Sequence, residues 1–92
     1  MEQLQINDHY KILKINYPAG KNIDKHFATS DAFIMVLSGK ALLIFNEETI
    51  ELSPTFSYSV PAKKLHLLKI IDDFSAYIVL ANDAEIKFID PS

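Results

Sequence analysis

The sequence predicts an all-β sandwich or barrel, and three observations predict it. Apolar and polar residues alternate with a period of two along most of the chain, the pattern of strands with one buried and one wet face. No window of ten or more residues carries a convincing helical period. Turn-forming residues interrupt the runs at short, regular intervals, as strand-rich sandwiches and barrels require.

The elements follow in order. In Tyr10 to Tyr17, the side chains of Leu13, Ile15 and Tyr17 share one face. Pro18-Ala19-Gly20 then opens a polar loop running to about Asp24, and Phe27 to Ala32 has room for one short helical turn. Phe33 to Leu37 and Ala41 to Phe45 are apolar on both faces, which predicts strands covered on both sides; Ser38-Gly39-Lys40 between them reads as a tight hairpin. Asn46-Glu47 ends that pair. Strands over Glu48 to Leu52 and Phe56 to Val60 are separated by Ser53-Pro54. The richer runs Leu65 to Ile71 and Ala76 to Ala81 are divided by Asp72-Asp73, and Asn82-Asp83 precedes an alternating strand over Ala84 to Phe88. No repeat, low-complexity tract or linker divides the 92 residues, so a single domain over 1–92 is expected.

Composition narrows the function classes. A chain this short buries only a little over ~60% of its unfolded surface, so self-association as a homodimer is an expected source of extra stability. There is no cysteine, which removes disulfides, thiol nucleophiles and thiolate metal sites and suits a reducing compartment. The opening residues lack the basic and apolar regions of a signal peptide, and the longest apolar stretches are too short to span a bilayer. A cytoplasmic location without membrane contact is the expectation. The net charge is −3, and all nine basic residues are dispersed lysines with no arginine, so a nucleic-acid partner is not expected.

Two segments carry more specific information. Gly20, five residues, His26, then Ala28, Ala32 and Gly39 form the first; Thr55, Pro61, Lys63, His66 and Ile70 form the second. Their order and spacing resemble the two signature motifs of the cupin family, over about residues 15–90. The resemblance implies a cupin-type jelly-roll barrel or sandwich of two antiparallel sheets. It also implies a metal held by two histidines, a glutamate and a third histidine. Here Ala28 stands at the second histidine position and Ala32 at the glutamate position. Thr55, Lys63 and Ile70 stand where the family has glycine, glycine and asparagine.

With two of four ligands replaced, the metal site is degenerate and no metal cofactor is expected. Asp31 lies one residue from the glutamate position, and a one-residue offset turns a strand side chain to the opposite face. His26 and His66 have three readings: partly buried histidines satisfying a local hydrogen bond, polar points of a small-molecule pocket, or residual metal ligands. The pocket reading gives a candidate set of His26, His66, Ile34, Val36, Tyr58 and Leu68. It implies a non-catalytic barrel binding a small organic ligand. The alternatives are a metal-dependent isomerase or dioxygenase-like enzyme using the same histidines, or a protein-interaction module. Asp72-Asp73, the serines and the two glycines form no catalytic or phosphate-binding pattern.

Overall fold

The computed structural model describes residues 1–89; the last three residues of the expected domain lie outside the described residues. It consists of eight strands: β1 (Glu2–Ile6), β2 (Tyr10–Tyr17), β3 (Asn22–Ala28), β4 (Ala32–Ile44), β5 (Thr49–Leu52), β6 (Ser57–Val60), β7 (His66–Ala81) and β8 (Ile86–Phe88). Among the described residues no helix is long and apolar enough to cross a membrane.

All pairings are antiparallel, and one curled sheet contains every strand. The curl makes two layers. In the first layer the order is β6, the N-terminal half of β4, the C-terminal half of β7, β2 and β1. In the second it is β5, the C-terminal half of β4, the N-terminal half of β7, β3 and β8. The two expected sheets are thus halves of one, joined by two long strands that run through both.

This joint corrects the sequence reading. Ser38-Gly39-Lys40 does not reverse the chain, and Asp72-Asp73 does not separate two strands. Instead β4 and β7 each continue through a shared bend, where the register between them shifts three times between Val36 and Ala41. Bulges of this kind sharpen local twist and let a strand pass from one layer to the other. Gly39 is required there: its φ is +85°, and a Cβ on it would coincide with the Asp73 carbonyl oxygen. A residue that looks like a hairpin glycine is a close-approach glycine.

Two further differences concern the N-terminal third. β1 was not foreseen. Asn7, whose Oδ1 accepts from His9 N and Tyr10 N at 2.8 and 2.9 Å, turns it into β2. The expected helical turn after Phe27 is also absent, because Phe27 and Ala28 extend β3 and pair with Lys87 and Ile86 of β8.

The core lies between the layers. Leu43, Leu52 and Ile70 are its largest fully buried side chains, and removing each from water contributes about 1.5–3 kcal/mol. On β4 the inward residues Ala32, Ile34 and Val36 are buried as the period of two demands. Their outward neighbours Phe33, Met35 and Leu37 are 37%, 46% and 40% exposed. The expectation that this strand is covered on both sides is therefore not met within one chain.

Candidate functional site

The antiparallel pairing of β3 with β7 sets His26 directly opposite His66, close to where the second layer meets the barrel interior. Their rings meet edge to face with centroids 4.3 Å apart. Each ring is oriented the same way: His26 Nδ1 lies 2.7 Å from the Asp24 carbonyl oxygen, and His66 Nδ1 lies 2.8 Å from that of Lys64. A carbonyl only accepts, so in the neutral form of each ring Nδ1 carries the proton and Nε2 is left with a lone pair. Among the described residues neither Nε2 has a protein partner, and no fully buried side-chain polar atom is unsatisfied. The two lone pairs therefore face space that a small molecule or water reaches.

That space is a cavity of about 60 Å³. Apart from the two imidazoles its wall is wholly apolar, formed by Ile15, Ala28, Ala32, Ile34, Leu43, Leu52, Val60, Leu68, Phe74, Ile78, Leu80 and Ile86. A second cavity of about 60 Å³ adjoins it, sharing His26, Ile15, Leu68, Ile78 and Ile86 and reaching toward Met1 and Phe88. The room in each suits a few water molecules or a compact group of similar size.

His66 is only 8% exposed. Its pKa is lowered from the ordinary histidine value, first because burial penalises the charged ring and further because His26 lies alongside; the Lys64 carbonyl partly opposes this. At neutral pH it is a neutral acceptor. Lys64 holds the surroundings in place: its ammonium sits 4.3 Å from the Phe45 ring centroid and 3.0 Å from Glu47 Oε1. The Phe45 ring in turn lies 5.8 Å from that of His66. On the other side the Phe88 ring lies 5.1 Å from that of His26.

Of the six candidate residues, His26, His66, Ile34 and Leu68 line the cavity. Val36 and Tyr58 do not. Val36 faces inward but is packed in the closed core with Ala41 and Ala76. Tyr58 pairs with Ile34 across β4 and β6, yet its ring turns to Phe45 and Phe56, leaving Val60 as the wall residue of β6. The sequence reading missed Ile86 and Phe88, whose approach to the histidines depends on β8 pairing with β3. Ile15 had a signal in the alternation of β2, but no local pattern marks it as a wall of this cavity.

No family model matches the chain, and no curated protein matches it. Solved structures do. A conserved protein of unknown function from Streptococcus pyogenes superposes with a TM-score of 0.77 at 24% identity, over 87% of this chain and 70% of its own. A cupin superfamily protein from Desulfitobacterium hafniense gives 0.80 at 23% identity, over 88% and 74%. The DMSP lyase DddQ from Ruegeria pomeroyi gives 0.83 at 19% identity, over 94% of this chain and 46% of its own, so this chain spans about half the lyase's length. The chain has the cupin fold.

The backbone shows where the cupin motifs lie. Among the described residues, Gly20, Gly39, Thr55 and Lys63 are the four with positive φ, at 88°, 85°, 69° and 64°. They are the four positions at which the motifs have glycine. At two of them threonine and lysine adopt the left-handed conformation that the motif glycines favour. It is held by Thr55 N donating to Val36 O and Lys63 N to Ala28 O, at 3.3 and 2.8 Å.

The positions that correspond to the cupin metal ligands can be tested in the same way. Residues 26, 28, 32 and 66 all line the one cavity, as a converging ligand set requires, but they are His, Ala, Ala and His. Asp31 does not supply a third donor: it is exposed, and its Oδ1 accepts from Ala62 N at 2.8 Å, tying the loop before β4 to the turn before β7. Among the described residues no three His, Cys, Asp or Glu side chains converge. Two imidazoles do not fit the donor set that a resident metal of this fold demands.

Proposed function

We propose that this cupin-fold barrel binds a small organic molecule through the Nε2 atoms of His26 and His66, without a resident metal and without catalysis of its own. One observation carries the reading: two acceptor atoms without a protein partner stand at a cavity whose wall is otherwise apolar. Such a cavity selects for a donor. An anion would meet lone pairs, and a cation would lose its hydration with no carboxylate to replace it. The ligand is a compact, neutral molecule with an apolar body and an O–H or N–H group, such as a short alcohol, amide or phenol. The cavity volume limits it to a few heavy atoms unless Phe88 and Ile86 move aside. The lack of cysteine suits a cytoplasmic site of action.

The test is thermal unfolding against a panel of such neutral donors, with carboxylates, ammonium compounds and divalent transition metals in parallel. A ligand that binds only the folded state raises the melting temperature. Donors should raise it for the wild type and fail to do so for His66→Leu and His26→Leu. Stabilisation by metals instead, abolished by the same substitutions, would favour a metal-dependent enzyme; no response in any arm would defeat the binding reading.

A further inference from the structure

We infer, on the reading that the two imidazoles bind the ligand, that the second cavity is the vestibule of their site and holds the ligand's body. The ligand is then a short unbranched chain with its donor group at the leading end. Among the described residues, every wall of the histidine cavity is buried except His26, Ile78 and Ile86, which are half-buried. Those same three residues also line the second cavity. The thinly covered side of the first room is therefore the side it shares with the second. From there exposure rises outward, through half-buried Ile23 and Tyr17 to Phe88 and Met1 at 57% and 65%. A molecule bound for His66 passes His26 on the way in.

The strand on that side is the one most easily displaced. β8 ends the second layer and pairs with β3 alone, matching Phe88 to His26, Lys87 to Phe27 and Ile86 to Ala28. By the period of two, Ile86 and Phe88 lie on one face of β8 and Lys87 on the other. An edge strand of 3 residues opens at lower cost than the long β4–β7 ladder. Ile86 lines both rooms and so stands at their junction, while Phe88 stands at the mouth.

Volume decides the shape of the ligand. Each room measures about 60 Å³, whereas a cavity that accepts benzene measures about 150 Å³. A ring or a branched carbon skeleton fits neither room, but an unbranched chain divides itself between them. At roughly 15–30 Å³ per water-sized group, the two rooms together take roughly four to eight non-hydrogen atoms. The second room offers a tail no charged partner: apart from the His26 imidazole and the Tyr17 hydroxyl, its side chains are apolar. A primary alkanol meets these conditions, with its hydroxyl donating to an Nε2 atom and its alkyl chain lying beyond His26. A phenol does not.

The probes are the 1-alkanols from 1-propanol to 1-octanol, with cyclohexanol and phenol matched to 1-hexanol in non-hydrogen atoms. Each is titrated into the protein and followed by nuclear magnetic resonance. Affinity should rise about fourfold per methylene, the worth of burying one, and level off near 1-hexanol, which should bind tighter than either ring. Nuclear Overhauser contacts should join the terminal methyl group to Ile23 or Phe88 and the carbinol protons to the histidine rings. Ile23 lines the second room and not the first. Ile23→Phe fills that room, so the ratio of 1-hexanol to 1-propanol affinity should fall toward one; a ratio kept in the folded variant would overturn the inference. Should Ile23→Phe fail to fold, the wild-type series and its contacts decide alone. Alkanols that bind through the histidines, judged by their loss in His66→Leu, but gain nothing with length would also overturn it and leave the histidine site standing. Rings that bind as tightly as 1-hexanol would do the same. No alkanol binding at all would remove both the vestibule and the alcohol-binding site behind it.

Discussion

His26 and His66 face each other across the β3–β7 pair, ring to ring at 4.3 Å, and each spends its Nδ1 proton on the backbone carbonyl two residues before it. The arrangement is made by the backbone alone. Antiparallel register brings the two rings together, and in each the carbonyl two residues back takes Nδ1 and leaves Nε2 without a protein partner. The geometry that would present two ligands to a metal persists in a cavity whose other two ligand positions are methyl groups.

His66 makes stability depend on pH. Its folded pKa lies below its unfolded value of about 6.5. Above that value both states are neutral, and the group contributes nothing to the pH dependence. As pH falls through about 6.5 the unfolded chain takes up a proton that the folded chain refuses, so stability drops until the folded pKa is passed, with a slope of at most about 1.4 kcal/mol per unit. Denaturant melts from about pH 7.5 to about pH 5 should show this loss. In His66→Asn, whose Nδ2 occupies the place of the imidazole Nδ1 and can donate to the Lys64 carbonyl without titrating, the slope should shrink; an unchanged slope would assign it elsewhere.

Restoring the missing ligands should restore metal binding. Ala28→His and Ala32→Glu together place four donors around the cavity, at an overpacking cost of about 1–3 kcal/mol in the metal-free protein. Elemental analysis after incubation with manganese, iron, nickel or zinc should find one ion per chain in the double variant, and its melting temperature should rise with metal. A double variant that folds and stays metal-free would show that residues 28 and 32 do not converge with the histidines.

The two non-glycine turns hold strain that glycine would relieve. At φ 69° and 64°, Thr55 and Lys63 bear the left-handed penalty of about 1–2 kcal/mol, while glycine costs about 0.4–1 kcal/mol through the unfolded chain. Thr55→Gly and Lys63→Gly should each stabilise by about 0.5–1 kcal/mol in equilibrium unfolding.

The two native glycines should respond unequally to alanine. Nothing lies within 4 Å of a Cβ at Gly20, so Gly20→Ala meets only the backbone penalty and should cost about 1 kcal/mol. At Gly39 the added methyl collides with the backbone of Asp73 and Phe74. Two long strands would have to separate at their bend, and Gly39→Ala should cost several kcal/mol or prevent folding. Similar melting temperatures for the two variants would contradict the close approach.

Much of this molecule is legible in the chain because strand periodicity is local. The alternation of β2 and of β6, and the inward row Ala32, Ile34 and Val36, follow from which residues must leave water, and motif spacing located the wall positions 26, 28, 32 and 66. The N-terminal strand was not legible: all five residues of β1 are exposed, so burial imposes no alternation there.

Residue order by itself determined that the chain is built of strands, and the motif resemblance set His26 and His66 in the barrel interior with alanines at the two other ligand positions. Only the tertiary structure decided that Gly39 and Asp73 mark a shared bend rather than two turns, because a bend held by contact between distant strands looks like a hairpin when read locally. It also decided which inward residues line the cavity. Val36 and Tyr58 obey the same alternation as Ile34, but where a side chain ends up along the barrel depends on the curl of the whole sheet. The two histidines are adjacent for that reason: a register between residues forty positions apart is set by the packing of every strand between them.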